Sequence, residues 1–147
     1  MKLSTKGRYG MRAMLDLALH YGEGPILLRD IAQRQQISER YLEHLILSLK
    51  TAGLVNSVQG ARGGFTLAKP PSQIRLLEVM QSSEGLIAPV ECVLNPKLCS
   101  RASFCVTRDL WLEMKAAITG ILASKTLQDL VQWQREKEQP KAAMYYI

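Results

Sequence analysis

The sequence predicts a mainly α-helical fold: a helix-turn-helix with a β-hairpin wing, followed by a long C-terminal helix. Three observations predict it. Residues 4–52 hold three amphipathic stretches at helical spacing. Directly after them, "LVNSVQGARGGFTLA" alternates as two strands about a glycine-rich tip. Residues 106–124 then carry a broad apolar stripe with helical period.

Ser4 or Thr5 can cap the first helix, in which Tyr9, Met11, Met14, Leu15, Leu17, Ala18 and Tyr21 recur until Gly22 and Gly24-Pro25. His20, near its end, reads as a surface or capping residue. A shorter helix follows in "LLRDIAQRQQ", with Leu28, Ile31 and Ala32 on its apolar face. Ser38 caps the third helix, whose buried side is Leu42, Leu45, Ile46 and Leu49, and Gly53 stops it. Glu39, Arg40, Glu43, His44 and Leu47 are left facing outward. Two short helices with polar residues opening the second are the plan of a helix-turn-helix, although a generic bundle is equally amphipathic.

The next residues separate the two. Strands at Leu54–Val58 and Phe65–Ala68 flank the tip "QGARGG", and a hairpin placed immediately after the third helix is the plan of a winged helix. Its tip would carry Gln59 and Arg62 to a DNA backbone or minor groove. Lys69-Pro70-Pro71 closes the wing, and "SQIRLLEVMQSSEG" reads as a fourth helix with Ile74, Leu77, Val79 and Met80 inward.

Residues 1–84 are thus the expected winged DNA-binding domain, and 85–105 an irregular loop holding every cysteine. Residues 106–138 are expected to be dimerisation helices: a long one to about Ser124, and a last one from Thr126. The stripe Val106, Leu110, Trp111, Met114, Ile118, Ile121 and Leu122 is too broad for the chain around it, which predicts pairing with its own copy in a homodimer. Residues 139–147 read as a polar tail, open to disorder, that ends in Tyr-Tyr-Ile.

Charge agrees with an anionic partner for the first half. Residues 1–70 hold ten Lys/Arg against five Asp/Glu, whereas residues 71–147 hold nine against eight. No apolar run approaches the ~20 residues of a membrane span. "MKLSTKGRYG" lacks the apolar segment of a secretory signal, so a cytoplasmic protein without a membrane partner is expected. His20 and His44 have no paired acid or nucleophile in a recognisable motif, and no enzyme is expected. A protein-interaction module that never touches DNA remains the reading from another class.

Cys92, Cys99 and Cys105 lie within "CVLNPKLCSRASFC". In a reducing compartment such a cluster points to metal or redox chemistry rather than a disulfide. Zinc sites typically use close C-x-x-C pairs, and none is present. Soft thiolates suit iron–sulfur chemistry, and three thiols also permit a switch through sulfenic acid and a disulfide.

"MKLSTKGRYGMRAMLDLAL", "ISERYLEHLILSLKTAGLVNSVQGARGGFTLAKPP" and "TLQDLV" together resemble the winged-helix repressor family that includes the iron–sulfur regulator IscR and the nitric oxide sensor NsrR. The likeness runs over nearly the whole chain. It implies a homodimer crossed through its long helices on a pseudo-palindromic double-stranded DNA operator. It also implies an iron–sulfur cluster on Cys92, Cys99 and Cys105, 2Fe–2S before 4Fe–4S, with an assembly scaffold as possible donor. The expected function is a repressor sensing iron–sulfur status and controlling cluster-assembly genes; the alternative is a nitric oxide or redox sensor of the same fold.

The chain departs from the family at three places. The first cysteine gap is a residue longer than in IscR. Arg108 stands where IscR relatives have a ligating histidine, and arginine offers iron no lone pair. Gln59 and His44 stand where relatives often have Arg and Gln. Relatives of the NsrR kind draw a carboxylate from the partner's DNA-binding domain, near the start of the first helix, where this chain has Arg8. The exposed third helix offers Glu43 as the expected fourth ligand, with His44 as its rival; Glu91 and Asp109 lie too close to the cysteines in the chain. Ser38, Arg40, Tyr41, Glu43 and His44 are the expected groove-facing set. Lys6, Arg8, Gln59 and Arg62 are the expected backbone contacts, with Tyr41 partly in the core.

Overall fold

The computed structural model describes residues 2–144. Its helices are α1 (Thr5–Leu19), α2 (Leu28–Gln35), α3 (Glu39–Thr51), α4 (Leu76–Glu84), α5 (Val106–Ser124) and α6 (Leu127–Met144). Strands β1 (Val55–Val58) and β2 (Gly64–Leu67) lie between α3 and α4, and single 3-10 turns occur at Pro71–Gln73, Glu91–Val93 and Pro96–Leu98. The mainly helical, winged architecture is the expected one.

Ser4 resolves the choice of cap: its Oγ accepts from the Gly7 amide at 3.2 Å. The same residue donates from its amide and hydroxyl to Glu84 Oε1, at 2.8 and 2.6 Å, fastening α1 to the end of α4. Gly7 and Gly10 permit that approach, since a Cβ at either would run into the Glu84 or Ser83 side chain. Met14, Leu17, Ile31, Leu42, Leu45 and Leu49 meet beneath α1 as the fully buried centre of the core. Burying such side chains supplies the driving force, at about 1.5–3 kcal/mol each.

Between α2 and α3 the chain turns on Gln36, held at φ 55°. Ser38 Oγ then caps α3 by accepting from the Tyr41 amide. The wing pairs antiparallel in the register Val55↔Leu67 to Val58↔Gly64. The Ala68 amide extends the ladder by bonding the Leu54 carbonyl, and Ile26 bridges to Phe65 on the other side. Gly64 sits where those strands converge, at φ 153°, and a Cβ there would lie 2.5 Å from the Ile26 carbonyl oxygen. Gly64→Ala is therefore expected to cost about 3 kcal/mol in denaturant unfolding. A loss below about 0.5 kcal/mol, the range of neutral surface changes, would contradict this account of the wing root.

Two expectations about the later helices are corrected. Residues 71–75 are not helix: Pro71–Gln73 form a 3-10 turn, Ile74 is extended and buried, and Arg75 bridges to Thr126. The helix begins at Leu76, which is buried where Leu77 was expected inward, because Ile74 fills the core ahead of the first turn. Residues 106–138 are two helices that pack differently within the chain. Leu127 and Val131 of α6 are buried in the same core as α1 and α3, and Thr126 with Asp129 caps the helix there. The chain leaves the winged domain through the cysteine loop and α5, then returns along α6. That last helix runs to Met144, so residues 139–144 are helical rather than loose; Tyr145–Ile147 lie outside the described residues.

α5 contrasts with every helix before it, for none of its residues is buried. Val106 is 78%, Leu110 50% and Ile121 58% exposed. Between α5 and α1 lies an apolar groove of about 500 Å³, lined by Met11, Leu15, Met80, Ile118 and Leu122 among others.

Candidate nucleic-acid interface and thiol loop

The expected DNA-facing residues lie on three elements: α3, the first turn of α1 and the wing tip. On α3, Arg40, Glu43, His44 and Leu47 are exposed while Leu42, Leu45, Ile46 and Leu49 are buried, so the helix presents a polar face with one apolar residue in it. Ser38 is exposed at its capped start. Tyr41 is half-buried, its ring meeting Tyr9 edge-on at 6.0 Å. Lys6 and Arg8 are exposed in the first turn of α1, where Arg8 also reaches Thr5 Oγ1. Gln59 and Arg62 are exposed at the wing tip. Lys50 donates to Ser57 Oγ at 2.8 Å, tying the end of α3 to β1 so that wing and helix hold one relative setting.

Sequence reasoning missed what stands behind this surface. Asp16, 1% exposed, receives both arms of Arg34 and the amide of Gln35. An acid inside the stripe "MLDLAL" was the available signal, since a buried carboxylate demands partners. His20 closes α1 as expected, its Nδ1 lying 2.9 Å from the Asp16 carbonyl oxygen.

The thiols occupy the connection from α4 to α5. Cys92 lies in one 3-10 turn, Cys99 follows the next, and Cys105 is the N-cap residue of α5. All three are free and half-buried. Arg108, one turn into α5, donates from Nε to the Cys92 carbonyl at 3.2 Å and so fastens the loop to the helix. The Thr107 hydroxyl, 3.1 Å from Cys105 Sγ, is the main cause that lowers the Cys105 pKa; backbone amides and the nearby Arg101 add to it.

This donor set suits a thiolate-bound cluster in kind, because soft thiolates are the ligands that hold iron–sulfur groups. It is not closed around one point, however. Among the described residues no three His, Cys, Asp or Glu side chains gather as a metal-binding group, and neither Glu43 nor His44 joins the cysteines within one chain.

A helix-turn-helix with an exposed polar recognition face and a basic wing defines a winged-helix, DNA-binding transcription regulator. Among the described residues, no helix is long and apolar enough to cross a membrane. A family model described as "Rrf2: Iron-dependent Transcriptional regulator" matches residues 3–133, and the chain belongs to that family. It is 40% identical over 147 residues, all of both chains, to the HTH-type transcriptional regulator CymR of Bacillus subtilis (strain 168). It is 43% identical over 131 residues to the HTH-type transcriptional regulator IscR of Photorhabdus laumondii, covering 89% of this chain and 79% of that protein. The solved structure "T. potens IscR" superposes with a TM-score of 0.81 at 42% identity, covering 99% of this chain and 97% of that one. "The Structure of CymR (YrzC) the Global Cysteine Regulator of B. subtilis" gives 0.77 at 41% identity, covering 90% and 98%. These relatives are transcription regulators, and the chain is not an enzyme.

Proposed function

We propose that this chain is a cytoplasmic, homodimeric repressor that senses iron–sulfur status through Cys92, Cys99 and Cys105 and controls cluster-assembly genes. The observation that carries the reading is three free thiols in one loop, fastened by Arg108 to a helix whose apolar stripe is unburied. When bound, an iron–sulfur cluster, 2Fe–2S before 4Fe–4S, supplies redox and ligand-exchange chemistry responsive to iron supply and oxidants. The three cysteines would hold it, with Glu43 as proposed fourth ligand, His44 as rival, and an assembly scaffold as its source. The groove between α1 and α5 would receive α5 of the second copy, bringing the thiol loop and a DNA-binding domain into one assembly.

On DNA, Ser38, Arg40, Tyr41, Glu43 and His44 meet the major groove, where Arg pairs with guanine and a carboxylate accepts from cytosine N4. Lys6, Arg8, Gln59 and Arg62 hold the backbone. Two copies present their α3 helices about 34 Å apart, or one turn more, which calls for a pseudo-palindromic operator. Arg62→Ala is expected to weaken all duplexes alike and to reduce the salt slope by about one. If that variant instead preferred a different operator in a competition gel shift, the wing would be a base reader.

A second reading draws on the lowered Cys105 pKa and the open arrangement of the thiols. In it the chain carries no cluster and responds to oxidants directly at the thiols, through sulfenic acid and a disulfide. The absorption spectrum of protein purified without oxygen separates the two. Visible thiolate-to-iron bands with stoichiometric iron and sulfide support the cluster; a colourless or zinc-loaded protein overturns it.

A further inference from the structure

We propose that the buried Asp16 is a positioning residue for DNA recognition: through Arg34 and Gln35 it sets the turn that aims α3 into the groove. The inference rests on α3 being the DNA-reading helix, as proposed above.

The geometry is specific. Arg34 gives Nε to Asp16 Oδ2 at 3.0 Å and its terminal nitrogen to Oδ1 at 2.8 Å, a two-armed fork; Gln35 Nε2 adds a bond to Oδ2 at 3.0 Å. The pairing raises the Arg34 pKa, chiefly through the hydrogen bond to Asp16. Arg12, one turn earlier on α1, gives Nε to Gln35 Oε1 at 3.3 Å and also bonds the Gln35 carbonyl. Two α1 side chains thus hold the side chain and the backbone of the last residue of α2. Gln36 follows at φ 55°, the only non-glycine residue with positive φ among the described residues, and Ser38 caps α3 two residues later. On the far side of the turn, Arg12 stacks on Tyr9 at 5.2 Å, and Tyr9 meets Tyr41 of α3. One face of α1 grips the turn from both sides.

Stability alone does not call for this arrangement. The apolar residues Ile31, Ala32, Leu17 and Ala18 already bury α2 and α1 in one core, and that attraction is non-directional. A buried ion pair adds little net stability, but its directional fork fixes the angle and register of the elements it joins. A base-reading helix needs that precision, because misplacing it loses base contacts while phosphate attraction survives.

The test uses full-length protein with two probes: a duplex selected by the wild type from a random library, and a scrambled duplex of the same composition. Gln35→Ala carries no charge change and leaves the Arg34–Asp16 fork in place, so it should fold even if Asp16→Asn does not, or if Arg34→Ala, which leaves the buried Asp16 carboxylate without its cation, does not. Each is expected to lower affinity for the selected duplex about tenfold, with scrambled-duplex affinity and salt slope unchanged. A parallel loss on both duplexes with a flatter salt slope would make Arg34 a phosphate contact and overturn the proposal. Unchanged discrimination, with only a lower unfolding temperature, would reduce the network to a structural one and overturn it as well. A wild type that selects no duplex would overturn the reading of α3 itself.

Discussion

Replacing Ile118 and Ile121 together by Asp is expected to yield a folded monomer whose operator affinity falls to the non-specific level, a loss of about a thousandfold or more. Ile121 is 58% exposed and Ile118 lines the groove beside α1, so neither belongs to the buried core of the winged domain. In the proposed dimer the two-fold axis repeats each substitution, placing four carboxylates along one apolar seam. An unpaired charge left buried costs several kcal/mol, and the dimer cannot hold four of them. A monomer then meets only one half of a two-fold operator, with the other α3 no longer tethered one helical turn away. Sedimentation velocity, circular dichroism and fluorescence anisotropy on the same preparation check the three parts. A variant that stayed dimeric with undiminished affinity would show that α5 is not the seam.

How far the sequence foretold this molecule depends on which physical signal each part carries. α1, α2 and α3 were legible because each buries one face against the same core, and a 3.6-residue period with Ser caps is written directly into "LSTKGRYG" and "ISERYLEHL". The wing was legible from glycines that the turn and the Ile26 contact demand. The helix α6 was legible from Thr126, but its place was not, because what decides it is remote: the bridge between Arg75 and Thr126, and the burial of Leu127 and Val131 beside α1. Two apolar residues four apart suit a dimer seam and a domain core equally well. The cysteines were legible by type and spacing, but a loop has no period from which their mutual geometry could be read. Likewise Arg108 offered only a negative in the sequence, a residue unable to bind iron. Its positive role, the bond to the Cys92 carbonyl, needed the folded loop.

Cys92→Ala, Cys99→Ala and Cys105→Ala are each expected to abolish a stable cluster on anaerobic reconstitution, while Glu43→Ala should retain one with a shifted spectrum and faster loss. Thiolates are the strong ligands of iron, and removing one of three leaves too few donors to hold a cluster against chelators. Exchanging a fourth, oxygen ligand for water disturbs the site without emptying it. Arg108 cannot be that fourth donor, since a guanidinium has no lone pair and this one is committed to the loop backbone. Glu91 directly precedes Cys92 in the chain, so one cluster could hardly take both, whereas Asp109, four residues after Cys105, is tested directly by its variant. Glu43 is exposed on α3, within no metal-binding group of its own chain, so it would serve only across the dimer. A carboxylate held by iron cannot also face a base, so cluster-loaded wild type should differ from the apo form in operator preference, and Glu43→Ala should erase that difference. His44→Ala and Asp109→Ala are the controls expected to keep the wild-type spectrum. Should Glu43→Ala keep it too, the fourth position belongs to water or a small thiol, and the coupling of cluster to groove fails. Should any single cysteine variant keep it, the assignment of the three thiols fails first.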